Sequence, residues 1–476
     1  MFHIKWVMAM ELGESIIADI SSINSEGEGI ARLGEEGFVV FVPGALEGER
    51  VQCRVVRTSK KYAAAMATEI LAPSRDRLAP RCPVYDRCGG CQLQHATYEA
   101  QLRMKGKILS DALRRIGRLD LSEDVRVEPS QDEWGYRNKT VLPALRGRSG
   151  AKSIDCGYYE RRTHNIVPFV GCPVLHPSLE RVVERAIAAL SEAGFSGYNE
   201  AKKTGDIRHI AVRTGEFKDA RAVLTGVVTA RDLGAREFGK LRGVHQRLSA
   251  DDPELVGSVM NVKTSQDNFI WGPVFKRLSG RKLISQGLGG HEFQMDISAF
   301  FQINVAQAEA MFRHVTELVN KTDSLALLEL YSGVGSLTAY LAGVSGHVDA
   351  VEEWRPAARQ LALNMECNGI GNVEAFAESA ERFVEETVAN GSGKYDTIVL
   401  DPPRTGCDER VIAGIRRISP ENIVYVSCNP ATLARDISRI TAEPMENGYS
   451  VQSIAAFDMF PQTAHVESVC HMTRSC

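Results

Sequence analysis

Long hydrophobic runs are missing from this 476-residue chain. The longest run free of acidic and basic residues, Leu330–Val348, is broken by four glycines and several hydroxyls, so it suits a glycine loop before a buried helix better than a membrane span. The opening stretch Met1–Met10 is too short and too polar for an export signal, and a cytoplasmic protein without membrane contact is expected. No repeat with a period of about 20–50 residues and no low-complexity tract is present, which argues against solenoids and disordered linkers. Without an export signal, eleven cysteines do not read as a disulfide framework, because the cytosol keeps thiols reduced. Metal binding or catalysis is then the first use to consider for them.

Net charge is also scarce, −4 overall, but its distribution is uneven. Residues 1–49 carry two basic and nine acidic side chains, whereas residues 50–115 carry fourteen basic and five acidic ones. A basic stretch on a mildly acidic protein is what a nucleic-acid footprint looks like, with a plain solvated face as the alternative.

The length allows about two to four domains. Ser15–Ile20, Gly29–Leu33, Phe38–Val42, Glu49–Thr58 and Ala63–Leu71 are short strand-like runs separated by turn signals. They predict a small antiparallel, OB-like barrel over 12–72, of the kind that binds oligonucleotides on one face. A linker rich in proline and arginine, Pro73–Pro83, leads to a cysteine cluster and a helix over Glu99–Arg118, with Leu102, Ile108, Leu109, Leu113 and Ile116 on one stripe. The pattern is then strand-rich and irregular, predicting an α+β middle domain over 73–290, onto whose neighbour the helix 99–118 is free to pack. Beyond it, Leu325–Tyr331, His347–Glu352, Thr397–Leu400 and Asn422–Ser427 alternate with helical stretches such as Arg355–Asn368 and Arg410–Ile418. That rhythm predicts a multidomain chain ending in a Rossmann-like, doubly wound α/β domain over 291–476.

Several motifs carry chemistry. Glu329-Leu330-Tyr331-Ser332-Gly333-Val334-Gly335-Ser336 runs from a strand through a glycine turn into a helix, and the glycines let the backbone approach a cofactor closely. The third glycine of the dinucleotide fingerprint is missing, which favours a mononucleoside ligand. Glu352, at the end of the next strand, is placed to accept hydrogen bonds from both ribose hydroxyls of an adenosine. Asp401-Pro402-Pro403-Arg404 follows the strand Thr397–Leu400, where a carboxylate faces the crevice of a parallel sheet. Arg404 replaces the aromatic residue that methyltransferases of exocyclic amines usually place there. Ser427-Cys428-Asn429-Pro430 puts a thiol at a strand end before a helix, whose N-terminus is expected to lower its pKa. Phe460-Pro461-Gln462-Thr463-Ala464-His465-Val466-Glu467 leads into a last strand over Ser468–Met472, with Glu467 a candidate general base. Finally, Cys82, Cys88 and Cys91, with Cys172-Pro173 downstream, have the spacing of metal ligands. Four thiolates hold either a structural zinc or an iron–sulfur cluster, and spacing alone does not decide.

Together these motifs resemble the S-adenosylmethionine-dependent RNA (uracil-5-)-methyltransferases, in particular the iron–sulfur, TRAM-containing members that modify ribosomal RNA, over nearly the whole chain. The resemblance implies a TRAM domain in the first 72 residues, an iron–sulfur-containing middle domain and a class I methyltransferase domain. It implies that Cys82, Cys88, Cys91 and Cys172 hold a [4Fe–4S] cluster. Phe300-Phe301-Gln302-Ile303-Asn304 matches the family segment before the cofactor fold, so Gln302 would contact S-adenosylmethionine, and Tyr331, Ser336, Glu352, Ser379 and Asp401 would line the same site. Tyr136-Arg137-Asn138-Lys139 matches a stretch near the RNA. Cys428 falls on the family's nucleophile and Glu467 on its base. The family usually has Asp and Cys where this chain has Glu329 and Ser332, changes that conserve charge or size, and Ser379 stands where some members carry a longer polar side chain.

The activity implied is methylation of carbon 5 of a uridine in RNA by a monomer, with large-subunit ribosomal RNA the expected partner and transfer RNA the alternative. Two other readings compete. RNA cytosine-5 methylation uses a second crevice cysteine, for which Cys407 is available, but the cytosine enzymes place it much closer to the acidic residue than Cys407 lies to Asp401. A non-catalytic RNA-binding protein would have no need of Cys428 and Glu467, and both are present.

Overall fold

Alternating apolar and polar residues build the N-terminal barrel. The computed structural model describes residues 10–34, 36–147, 153–322, 324–391, 395–442 and 448–474, so of the stretch Met1–Met10 only Met10 lies inside the described residues. Strands β1 (Ser15–Ile23), β2 (Glu28–Leu33), β3 (Phe38–Pro43), β4 (Arg50–Thr58) and β5 (Tyr62–Ala72) close in the order β1-β2-β3-β5-β4. Ala18, Ala31, Val40, Val51 and Ala63 are fully buried inside it. The barrel is not antiparallel throughout, as expected from its short strands: β3 and β5 run parallel, because β5 returns from β4 and closes the gap beside β3. The linker is tied down by charge. Burial would raise the Glu49 carboxyl, but Arg77, bonded through Nε at 2.5 Å and Nη2 at 2.7 Å, and the backbone amides of Leu46 and Ser74 hold it below its ordinary value.

Helix α1 (Tyr98–Arg115) starts at Thr97, whose hydroxyl accepts from Ala100 N at 3.4 Å. It ends three residues before the predicted Arg118, so Ile116 lies outside it and is exposed while Leu109 and Leu113 are fully buried. Gly106 lets this helix touch the segment before strand β6 (Val127–Glu128): a Cβ there would meet Val125 O at 2.3 Å.

The middle sheet comprises β7 (Lys139–Arg146), β8 (Ile154–Tyr159), β9 (Ile166–Pro168), β10 (Ile207–Phe217), β11 (Ala220–Thr229), β12 (Leu255–Val262) and β13 (Val274–Gly280), in the order β13-β12-β11-β10-β7-β8-β9. Helices α2 (Pro177–Glu192) and α3 (Ala235–Asp251) pack on one face through Leu179, Val183, Leu241 and Val244. The α3 crossover makes β11 and β12 the parallel pair of this sheet. Its other face receives the hairpin β14 (Ile284–Leu288) and β15 (His291–Met295). Phe293 and Met295 pack in the same cluster as Met311 and Phe312, so the core runs unbroken into the C-terminal domain. A boundary between residues 290 and 291 thus falls in the turn of that hairpin.

The C-terminal domain contains α4 (Val305–Asn320), β16 (Ala326–Leu330), α5 (Ser336–Ala342), β17 (His347–Val351), α6 (Arg355–Cys367), β18 (Val373–Phe376), α7 (Ala380–Ala389), β19 (Thr397–Leu400), α8 (Glu409–Ile418), β20 (Asn422–Ser427), α9 (Pro430–Ile440), β21 (Tyr449–Phe457) and β22 (Glu467–Arg474). Its sheet order is β18-β17-β16-β19-β20-β22-β21-β6. The first five strands are parallel, and β22 is antiparallel to both β20 and β21. Helix α1, expected to be free to pack on the catalytic domain, lies on α9, and β6 adds to the far edge of the C-terminal sheet. Among the described residues no helix is long and apolar enough to cross a membrane.

One buried ion pair joins the early chain to the late one. Lys105 and Asp458 are both fully buried and bond to each other, and Lys105 Nζ also donates to Phe460 O at 3.0 Å. Burial pulls the lysine below its ordinary pKa, and Asp458 opposes that. Lys105→Met leaves the carboxylate buried without its cation, a loss of about 3–5 kcal/mol. Thermal unfolding should show a clear drop in midpoint for Lys105→Met and a smaller one for the Lys105→Met, Asp458→Leu double variant. Equal drops would show that the charge pairing is not what the contact supplies.

Candidate active site

The strand order reverses between β16 and β19, and a crevice opens at the C-terminal ends of these strands. It forms a cavity of about 1030 Å³. Gln302, Tyr331, Ser336, Glu352, Asp401, Cys428 and Glu467 all line it, drawn together from positions up to 165 residues apart.

The glycine turn shapes one wall. Tyr331, Gly333 and Gly335 adopt positive φ angles of 68°, 59° and 85°. Glycine is required at 335 twice over, since a Cβ would also meet Leu361 Cγ at 2.8 Å. Glu352 holds the turn: its Oε2 accepts from Gly333 N at 3.0 Å and its Oε1 from Trp354 N at 2.8 Å. Gln302 is anchored by its carbonyl, which accepts from Asn138 Nδ2 at 3.0 Å. This gives the Tyr136–Lys139 stretch a place behind the cavity wall.

Ser379 is the exception. Its hydroxyl caps α7 by accepting from Arg382 N at 3.3 Å, and the cavity is lined instead by the next residues, Ala380 and Glu381. A short side chain at a helix start satisfies the nearest amide, which explains why it stays behind the wall. Cys407 also lines the cavity, but burial pushes its thiol to about 12, and its backbone N donates to Asp436 at 2.9 Å.

The β20–β22 ladder places the thiol and the last carboxylate. Ser427 pairs with Ser468, so one step further along the two strands Cys428 comes opposite Glu467. Asp401, directly after the neighbouring strand β19, lines the same cavity, and burial pushes its carboxyl to about 7. Burial and then Asp401 push Glu467 well above its ordinary value, while Arg404 pulls the other way. Glu329 rises to about 8 through burial, despite a hydrogen bond from Thr338 Oγ1 at 2.5 Å.

Cys428 departs from expectation in one respect. Burial, then Glu467 and Asp401, push its thiol up to about 11, with Arg404 opposing them. The start of α9 does not reverse this, because Asn429 caps it, accepting from Ala431 N at 3.0 Å. The resting thiol is therefore protonated at neutral pH. Trp354 and Phe460 in the lining were not singled out in the sequence, and Arg404, noted there only for not being aromatic, is the cation acting on both thiol and carboxyl. Phe460 lies in the motif that leads to Glu467, so the motif's length was the available clue.

The second constellation also converges. Cys82, Cys88, Cys91 and Cys172, none of them in a disulfide, line one small cavity with Tyr85, Gln94, Arg137 and Tyr158. Burial raises all four thiols, Cys91 to about 12. The charge of Arg137 opposes that rise at Cys88, Cys91 and Cys172, and its own Nε is buried without a hydrogen-bond partner. Among the described residues, the one group of three or more His, Cys, Asp or Glu ligand atoms mutually within 4.8 Å is His347, Asp349 and Glu374, away from both cavities.

A thiol at about 11 makes a direct prediction for the free protein. The alkylation rate of Cys428, followed by mass spectrometry of its peptide, should climb about tenfold per unit between about pH 7 and about pH 9. A plateau in that range would show a thiolate already formed.

Residues 290–475 match the family model described as tRNA (Uracil-5-)-methyltransferase, and residues 10–68 match that of the TRAM domain. An uncharacterized RNA methyltransferase of Halalkalibacterium halodurans is 34% identical over 453 residues, covering 94% of this chain and 95% of that protein. Another, from Caldanaerobacter subterraneus, is 33% identical over 465 residues, covering 98% and 99%. The crystal structure of Pyrococcus abyssi tRNA (uracil-54, C5)-methyltransferase in complex with S-adenosyl-L-homocysteine matches with a TM-score of 0.74 and 27% identity, covering 96% of this chain and 99% of that one. A TRAM barrel, a methyltransferase sheet and full-length relatives agree: the chain belongs to the S-adenosylmethionine-dependent RNA (uracil-5-)-methyltransferase family.

Proposed function

We propose that this enzyme methylates carbon 5 of a uridine in large-subunit ribosomal RNA through a covalent adduct of Cys428, with Glu467 as the base. The observation that carries the mechanism is that Cys428 and Glu467 line one crevice, each adjacent to the last pair of the β20–β22 ladder, Ser427 with Ser468.

The cavity suits the methyl donor. Positive φ at Gly333 and Gly335 lets the backbone approach an adenosyl ligand, Glu352 stands where its ribose hydroxyls would bind, and Gln302, Tyr331, Ser336 and Asp401 complete the enclosure. When bound there, S-adenosylmethionine supplies an electrophilic methyl carbon on a sulfonium. Buried carboxyls at Glu329, Asp401 and Glu467 favour a cation in this space. Cys428 then loses its proton more readily, since a positive charge offsets the carboxylates that hold the thiol up.

Carbon 5 of uracil is a weak nucleophile. Cys428 forms a bond to carbon 6, and the displaced electron pair makes carbon 5 an enolate carbon able to take the methyl group. Glu467 removes the proton from carbon 5, the electrons reform the ring double bond, and the sulfur–carbon bond breaks to return the thiolate. The target base must leave its stack to enter the crevice, and the TRAM barrel with its basic strand β4 suits contact with flanking single-stranded RNA.

Cys82, Cys88, Cys91 and Cys172 would hold a [4Fe–4S] cluster. An anionic group among the four thiols suits the buried Arg137 guanidinium, whose Nε has no hydrogen-bond partner among the described residues. Such a cluster supplies a rigid anionic crosslink, because the reaction moves no net electrons. A second target is favoured by one observation: the Pyrococcus abyssi enzyme, alike over 96% of this chain, acts on transfer RNA. Methyl incorporation into separated ribosomal and transfer RNA, with nucleoside mapping, decides between them.

Two outcomes test the reading. Cys428→Ala should abolish both methyl transfer and adduct, whereas Glu467→Gln should accumulate a denaturant-resistant, methylated protein–RNA adduct. Near-normal turnover by Cys428→Ala, or free turnover by Glu467→Gln without adduct, would remove the mechanism. Protein purified without oxygen should be brown and carry about four irons and four sulfides per chain. Stoichiometric zinc without labile sulfide would overturn the cluster assignment.

A further inference from the structure

We infer that the pairing of Gln101 with Gln462 positions Glu467, so that proton removal from carbon 5 depends on it while thiol attack does not; this rests on the reading of Glu467 as the base. Phe457 and Glu467 are cross-strand partners, and residues 458–466 form the loop between them. The conformation of that loop therefore decides which residue enters the crevice at its foot. Its neighbours Asp401 and Arg404 act on the carboxylate through charge.

The loop is held from outside the catalytic sheet. Gln462 has φ +71°, a left-handed conformation that a residue with a side chain adopts only under constraint. The constraint is reciprocal. Gln462 N donates to Gln101 Oε1 at 2.9 Å, and Gln101 Nε2 donates to Gln462 Oε1 at 3.0 Å and to Ala96 O at 3.0 Å. Both residues are 1% exposed, so water does not substitute for either bond. Gln462 O in turn accepts from Gln92 N at 3.1 Å and Leu93 N at 3.0 Å, the two residues after Cys91. On the residue before, Pro461 O accepts from Tyr136 OH at 3.0 Å. Helix α1 and the cysteine segment thus grip the same peptide, five residues before Glu467.

Cys428 hangs from a different support. It directly follows β20, which lies between parallel β19 and antiparallel β22, and Asn429 Nδ2 donates to Arg404 O at 2.9 Å. Loosening the loop moves the base and, of the cavity lining, Phe460, and leaves the nucleophile and the glycine-turn wall in place. Gln101 and Gln462 are thus positioning residues, acting on the reaction only through Glu467.

The experiment compares Gln101→Ala, Gln462→Gly and Glu467→Gln in the full-length protein with substrate RNA and labelled S-adenosylmethionine. Glycine accepts φ +71° freely and keeps the carbonyl that Gln92 and Leu93 bind, so Gln462→Gly remains folded even if Gln101→Ala does not. Both variants should transfer the methyl group in a single turnover within about twofold of the parent, with the cofactor KM also within about twofold. Their kcat should fall about tenfold or more, and methylated, denaturant-resistant adduct should build up as in Glu467→Gln. Unchanged turnover and no adduct, while Glu467→Gln does trap one, would overturn the positioning role alone. Joint loss of methyl transfer, cofactor affinity and melting temperature in Gln462→Gly would mark a plain structural role and overturn it too. Failure of Glu467→Gln itself to trap an adduct would remove the base assignment and this inference with it.

Discussion

The short connection from Asp458 to Glu467 is the constraint on which the assembly turns. It carries the chain between the last two strands, and nearly every other part of the protein reaches it. Lys105 of α1 pairs with Asp458, Gln101 of α1 and the backbone after Cys91 bind Gln462, and Tyr136 of the middle domain bonds to Pro461. Ile23 and Leu46 of the barrel share an apolar cluster with Leu93, Met104 and Ala464. Buried charges and amides of this kind are costly to leave unpaired. The connection therefore takes its shape only when barrel, cysteine segment, helix and sheet are all in place.

Electrostatics in the crevice follow the same logic of incompleteness. Glu329, Asp401 and Glu467 sit in one buried space, each pushed toward its neutral form, and the Cys428 thiol is pushed up beside them. Arg404 is the cation that opposes this at both Cys428 and Glu467. Such interacting groups titrate as a set, and a cation entering the cavity draws the whole set toward its charged forms. In the free protein the Cys428 thiol is thus held toward its protonated form.

The cysteine cavity shows a complementary arrangement, with Arg137 buried among four thiols. It lies on the sequence side of the Gln92–Leu93 grip, so order among the cysteines bears on the Glu467 connection through two adjacent backbone amides. That contact links the cysteine segment to the connection that leads into the last strand of the C-terminal sheet.

Much of this was legible in the chain itself, because local chemistry determines local structure. Strands Thr397–Leu400 and Asn422–Ser427 appear with the boundaries that their apolar runs predict, and the glycine turn, Asp401 and Cys428 follow their strands as parallel-sheet logic requires. The motif spacing of Cys82, Cys88 and Cys91 was likewise readable, although its union with Cys172 depends on the folded chain. Other features were invisible for a common reason: they depend on distance in space between residues far apart in sequence. A helix stripe over Leu109 and Leu113 left open which domain α1 packs on, and a two-residue strand at Val127–Glu128 does not name its sheet. Ser379 looked like a cavity residue until the start of α7 claimed its hydroxyl, and the Cys428 thiol was expected low until burial beside Glu467 and Asp401 raised it. The residue types at the site were thus determined by the sequence. Which of them face one another, and in what charge state, was decided by tertiary structure, because burial and cross-strand register exist only once the chain has closed on itself.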